Sequence, residues 1–325
     1  MPGTLRGNYS GRDGRRYYQC SNFDSTMTTG ATKFGARPPL ACEIAADRVL
    51  AARSADAGRM VEMCSAQELA PGTVIPDLME PNLRDGTAIR SAIESALGGL
   101  SGRSRDVIAI LPDTAVRVVL LDFETLPSKP EEAEAVVRFR LKKSLPFNLD
   151  DARVSYHAQT GGTGLRAIAA VVLNSVLQEY ESAFRDAGYN PGVVMPSMLA
   201  ALGAADADKP TLVVKVDARS IGIAILDQEQ VLLFRTLENV RGVTISGEQL
   251  AEEVYPSVVF FQDTYKLNID RIYVAGLPET VGAAPALKAQ TGATVAELIA
   301  ASQIGATTGS VPRWRMAGVV GALIA

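Results

Sequence analysis

The sequence predicts an α/β protein built from two related lobes facing one another, with a smaller α/β subdomain inserted between them. Three observations point there. Apolar patterning gives the order strand, strand, strand, helix, strand twice, about 170 residues apart, a separation far too long for a solenoid repeat. The stretch between the two blocks carries strand and helix patterns of its own. The chain's 325 residues, 47% of them hydrophobic, suffice to bury more than one core without disulfide or metal support. Composition excludes collagen, coiled coil and wholesale disorder.

In chain order, residues 1–37 hold Arg6, Arg12, Arg15, Arg16, Lys33 and Arg37 against Asp13 and Asp24, with little apolar content. They read as a disordered leader without an assigned function. Its arginines and tyrosines would also suit a nucleic-acid or lipid arm, and translation starting at Met27 would remove most of it. The first lobe begins at residue 38. Short β-branched and aliphatic runs at 40–46, 48–53 and 59–64 predict three antiparallel strands. A helix is expected over 85–97, with Ile89, Ile93 and Leu97 on one face and Gly98-Gly99 stopping it. Residues 106–111 read as a buried strand.

The insert is expected over 112–202. It holds a strand at 116–121 and a helix opened by Pro130. Glu131, Glu132 and Glu134 lie at the positive end of that helix's dipole and Lys142 and Lys143 at the other, an order that needs no ligand. Leu145-Pro146-Phe147 closes the helix, a hairpin at 153–158 and 165–173 turns about Gly161-Gly162-Thr163-Gly164, and a second helix runs over 175–187 to Gly188. The second lobe, 203–325, repeats the first: strands at 211–216, 221–226 and 231–237, a helix over 247–267 with a kink at Pro256, and a strand at 271–275. A closing helix at 316–325 is expected to return to the first lobe. It is about half the roughly 20 residues that span a membrane.

Several functions are excluded by composition. With 32 basic and 36 acidic residues the chain is acidic overall, which argues against a dedicated nucleic-acid binder. No basic-then-apolar signal opens it. Cys20, Cys42 and Cys64 form no CxxC pair, and a reducing cytoplasm fits best. His157 is the single histidine and lacks a Gly-x-Ser-x-Gly partner motif, so it reads as a surface or sheet residue, and a zinc site is not expected. The Gly161–Gly164 turn lacks the Gly-Lys-Ser/Thr of a phosphate loop. The basic run Arg138, Arg140, Lys142 and Lys143 is read as a solvated helix face.

Leu111-Pro112 before a strand, Leu126-Pro127, the acidic helix start, Arg138-Phe139-Arg140, Leu145-Pro146-Phe147, Leu233-Phe234-Arg235 and the closing apolar helix together resemble the PilM family of type IV pilus assembly proteins. The resemblance extends from about Leu40 onward and rests on order and spacing rather than on one motif. It implies an actin-like (ribonuclease H-like) fold with nucleotide held between two lobes. It also implies a cytoplasmic protein at the inner face of the inner membrane, held there by binding the N-terminal tail of PilN and working with other pilus assembly proteins.

Against that pattern the nucleotide site has drifted. The family's Asp-Ile-Gly-Ser-Ser falls on Glu43-Ile44-Ala45-Ala46-Asp47, losing the turn glycine and adding a carboxylate where phosphates would lie. The second Asp-Ile-Gly falls on Lys215-Val216-Asp217; a register shift restores Asp217, but no glycine follows until Gly222. The adenosine-side Gly-Gly reads Gly276-Leu277-Pro278, placing a branched side chain where base or sugar would pack. Glu43, Ala45, Ala46, Asp217 and Gly276 are therefore expected to mark a vestigial cleft with weak or absent ATP and magnesium binding, no metal and no catalytic residue. Glu43 and Asp217 are expected to be solvated turn carboxylates, the alternative being a surviving metal role. The work is then binding: an extended tail in a groove between first lobe and insert, with Arg138, Phe139, Leu145, Pro146 and Phe147 as candidate groove or groove-supporting residues. For Phe139, Leu145, Pro146 and Phe147 the alternative is packing of the insert helix on its sheet. The rivals are an active actin-like ATPase or sugar-kinase-like enzyme, and a type II secretion cytoplasmic domain, which would continue into a membrane span.

Overall fold

The computed structural model describes residues 37–54, 60–100, 102, 104–161, 164–278, 282–305 and 311–325. It also describes two short strands, β1 (Tyr9–Ser10) and β2 (Arg16–Tyr17), which pair antiparallel. The expectation of a disordered leader otherwise lies outside the described residues.

The first lobe starts as an antiparallel meander of β3 (Leu40–Ile44), β4 (Arg48–Ser54) and β5 (Val61–Glu68). Helix α1 (Gly86–Gly98) then crosses to β6 (Asp106–Leu111), parallel to β3. The Asp85 side chain accepts from the Ala88 amide at 2.9 Å and caps α1, which buries Ile89, Ile93 and Leu97. Strand β3 is buried throughout because both of its faces are covered. Leu40, Cys42 and Ile44 pack with α1. Ala41 packs on the opposite side with residues of both lobes.

After β6 the chain leaves this sheet to build a separate one from β7 (Arg117–Phe123), β8 (Ala152–Gly161) and β9 (Gly164–Leu173), in the order β7-β9-β8. Helix α2 (Pro130–Leu141), with Pro130 in its first turn, lays Ala133, Val137 and Leu141 inward. Helix α3 (Asn174–Asp186) and β10 (Asn190–Pro196) then return to the first lobe. Tyr180 and Phe184 pack in the same core as α1, and β10 pairs parallel with β6 to complete the sheet β10-β6-β3-β4-β5. The insert expected over 112–202 is thus narrower, its sheet ending at Leu173, because α3 has its apolar face on the first lobe.

Helix α4 (Ser197–Leu202) leads into the second lobe, where β11 (Thr211–Val216), β12 (Ser220–Asp227) and β13 (Gln230–Glu238) form another meander. Helix α5 (Gly247–Tyr265), β14 (Arg271–Ala275), α6 (Ala283–Thr291) and β15 (Thr294–Glu297) complete it. The sheet order β13-β12-β11-β14-β15 matches the first lobe strand for strand. Helix α5 opens with a capping box between Ser246 and Gln249 and continues through Pro256, which lies on its exposed side.

Helix α7 (Ala317–Ile324) lies where the lobes meet, with Ala317 to Leu323 buried. Its cluster joins Ala41 and Leu50 of the first lobe to Val213 and Ala224 of the second. Gly321 permits a backbone-to-backbone crossing with α4, since a Cβ there would lie 2.2 Å from the Ala200 carbonyl oxygen. Arg37 donates to the Ala322 and Ala325 carbonyls at the helix's far end. Among the described residues no helix is long and apolar enough to cross a membrane.

Candidate functional site

The two meanders point their first turns at each other. In the first, the Ala45 amide donates to the Arg48 carbonyl at 2.8 Å; in the second, the Asp217 amide donates to the Ser220 carbonyl at 2.8 Å. Glu43 and Lys215 each precede that closing amide by two residues, so they hold equivalent places in the duplicated halves. Lys215 Nζ lies 3.6 Å from Glu43 Oε1 and also pairs with Asp217. Arg48 crosses the same boundary, 3.5 Å from Asp217 Oδ1 and 2.8 Å from Asp47 Oδ1. Glu43 is 1% exposed and Lys215 2%. The expectation that Glu43 and Asp217 are solvated turn carboxylates is therefore corrected: both belong to a largely buried ion cluster. Its cover includes α7, whose Gly318 makes room; a Cβ there would stand 3.1 Å from the Glu43 carboxylate.

Two further groups tie this cluster to the start of α4. The Ser197 hydroxyl donates to Glu43 Oε1, and the Met198 amide donates to Asp113 Oδ1 at 2.7 Å. Burial opposes the charge on Lys215, but Asp217, Glu43 and Asp113 outweigh it and hold the ammonium above its ordinary value. Burial also opposes ionisation of Asp217, yet Lys215 and Arg48 keep it below its ordinary value. For Asp113 burial wins and pushes the carboxyl up to about 7, against the pull of Lys215.

Glu43, Ala45, Ala46 and Asp217 are brought together around a residual cavity of about 10 Å³, room for roughly one water. Gly276 is not part of its wall. With φ at +83°, Gly276 turns its amide to the Trp314 carbonyl at 2.7 Å, and a Cβ would fall 1.7 Å from the Val216 oxygen. Leu277, expected in the nucleotide space, is instead buried in the second lobe's own core. Among the described residues no group of three or more His, Cys, Asp or Glu is placed to hold a metal. Burial pushes the Cys64 thiol up to about 12 and raises Cys42 as well, leaving neither as a ready nucleophile.

A larger concavity of about 340 Å³ lies between insert and first lobe. Val154 and Tyr156 of β8 line one side, Val194 and Met195 of β10 another, and Val172 and Leu177 add apolar surface. Both β8 and β10 are edge strands of their sheets. Arg138 lines this groove and is held by a 2.7 Å bond to the Leu149 carbonyl. The other four candidates do not line it. Phe139 is 67% exposed and Pro146 is exposed, while Leu145 and Phe147 pack against the insert's core. Sequence reasoning missed the β10 residues, whose strand pattern is broken by Pro191 and Gly192. The insert is also tied to the second lobe: the Gln159 amide brackets the Val231 backbone at 2.7 and 3.1 Å, and Arg166 donates to the Tyr265 hydroxyl at 2.8 Å.

Two lobes of one strand order, hairpin turns opposed across a cleft and a subdomain inserted into the first lobe define an actin-like fold. A solved structure of a PilM–PilN type IV pilus biogenesis complex shares that fold at a TM-score of 0.68, with 19% identity, over 79% of this chain and 87% of its own. The cytoplasmic domain of EpsL, an inner-membrane component of the type II secretion system of Vibrio cholerae, aligns at 0.47 and 10% identity over 86% and 92%. A Bacteroides thetaiotaomicron protein with an actin-like ATPase fold and unknown function aligns at 0.45 and 12% identity over 82% and 93%. No family model and no curated protein matches the sequence.

Proposed function

We propose that this chain is a scaffold of type IV pilus assembly that works at the inner face of the cytoplasmic membrane by capturing the N-terminal tail of a PilN-type membrane protein. The observation that carries this reading is the 340 Å³ groove flanked by two edge strands, β8 and β10. An edge strand offers unpaired backbone groups to an added strand, and the apolar lining offers pockets to alternate side chains. The likeness to a PilM–PilN complex supports the choice of partner.

Nucleotide has no part in this reading. Small-molecule sites occupy about 300–1,000 Å³, whereas the space between the opposed turns is about 10 Å³. The Glu43–Lys215 pair already fills the place between the two hairpins. The active ATPase or sugar-kinase reading is disfavoured on the same grounds.

Calorimetric titration of synthetic N-terminal tails from short membrane proteins encoded nearby tests the proposal. At least one tail is expected to bind, and Val194→Arg, which puts a charge into the groove, is expected to weaken it at least about tenfold. Failure of every tail, or micromolar ATP binding with steady turnover, would overturn the reading.

A further inference from the structure

The buried ion cluster and the groove share a stretch of chain. Met195 and Pro196 line the groove; the next two residues, Ser197 and Met198, donate to Glu43 and Asp113. On the neighbouring strand Leu111 lines the groove, and Asp113 follows two residues later. Each contact at the end of β10 is thus backed by a buried acid, and those acids face Lys215 from across the lobe boundary.

The ammonium balances Glu43 and only partly offsets Asp113, for which burial prevails. Glu43 Oε2 and Asp113 Oδ2 are buried without a hydrogen-bond partner among the described residues. A buried carboxylate in that state is tolerated only beside an opposite charge. Lys215 supplies it from the second lobe, at the position equivalent to Glu43 itself, and Arg48 returns the favour by reaching Asp217 from the first lobe. The cluster is therefore reciprocal: each lobe gives the other a cation.

We infer that Lys215 is a resident counter-ion that clamps the two lobes together without any ligand, and that through Ser197 and Met198 this clamp positions the β10 wall of the groove. Glu43, Lys215 and Ser197 are positioning residues, since none lines the groove. Only the last step, that a set groove wall matters for tail capture, rests on the function proposed above.

Native-state hydrogen exchange on the full chain tests the clamp without a peptide. Lys215→Met keeps an unbranched side chain only one atom shorter and removes its charge; Ser197→Ala cuts the link to β10 and leaves the ion pair. Val214→Ala is the control, because it removes core packing on the other face of β11. Lys215→Met is expected to speed exchange about tenfold at 42–45, 213–216 and 193–202, and Ser197→Ala at 193–202 alone, each beyond the change in Val214→Ala. Rates in 193–202 that match the control in both variants would overturn the inference. If Lys215→Met does not fold, unchanged exchange of 193–202 in Ser197→Ala overturns it alone. Tail titration of the parent chain tests the groove reading separately, so either idea can fail without the other.

Discussion

Asp113 offers a perturbation whose size follows from the structure. Its carboxyl is 3% exposed, accepts from the Met198 amide and titrates at about 7 in the folded chain against an ordinary 3.8. A raised carboxyl constant means that the folded state binds the proton more tightly than the unfolded one. Its contribution is therefore most favourable at low pH, falls as pH rises from about 4 to about 7, and is flat above. At 1.36 kcal/mol for each tenfold change in proton affinity, roughly 2.5 kcal/mol of stability is lost to this group between pH 5 and pH 8. Asp113→Asn keeps an acceptor for Met198 and cannot ionise. Urea unfolding of parent and variant at pH 5, 6, 7 and 8 is expected to show their difference shifting by about 2.5 kcal/mol in the variant's favour across that range. Parallel curves, with a constant difference at all four values, would refute the assignment of a buried, half-titrated acid at this place.

Two other predictions concern single side chains. Gly276→Ala is expected to cost about 3 kcal/mol or more in urea unfolding, because the position combines φ of +83° with a Cβ 1.7 Å from the Val216 oxygen. Phe139→Ser, at a ring 67% exposed and away from the groove, is expected to change stability by less than about 0.5 kcal/mol and to leave tail binding unaltered in the same titration.

The duplication was legible because β3 and β11 are central strands covered on both faces. They read as short, nearly continuous apolar runs that stand out from their surroundings. Helices α1 and α3 were legible through their spacing of Ile89, Ile93 and Leu97, and of Leu177, Tyr180 and Phe184. Strand β10 was not, since Pro191, Gly192 and Pro196 interrupt its pattern and a bulge shifts its register. Losing β10 from the first sheet also hid the groove wall, so the candidate residues fell on α2 and its C-terminal flank, where one of five proved to face the groove. The exchange of acid for lysine at position 215 was visible in the sequence. What it meant was not, because the partner Glu43 lies in the other half and meets Lys215 only once the lobes close.

Helix α7 follows both lobes along the chain yet supplies the apolar surface on which they mate. In a nascent chain that has released residues 40–300, both sheets still lack the cover that Val319, Val320 and Leu323 provide. A chain cut short before residue 316 is therefore expected to expose an apolar flank on each lobe and to aggregate more readily than the full sequence.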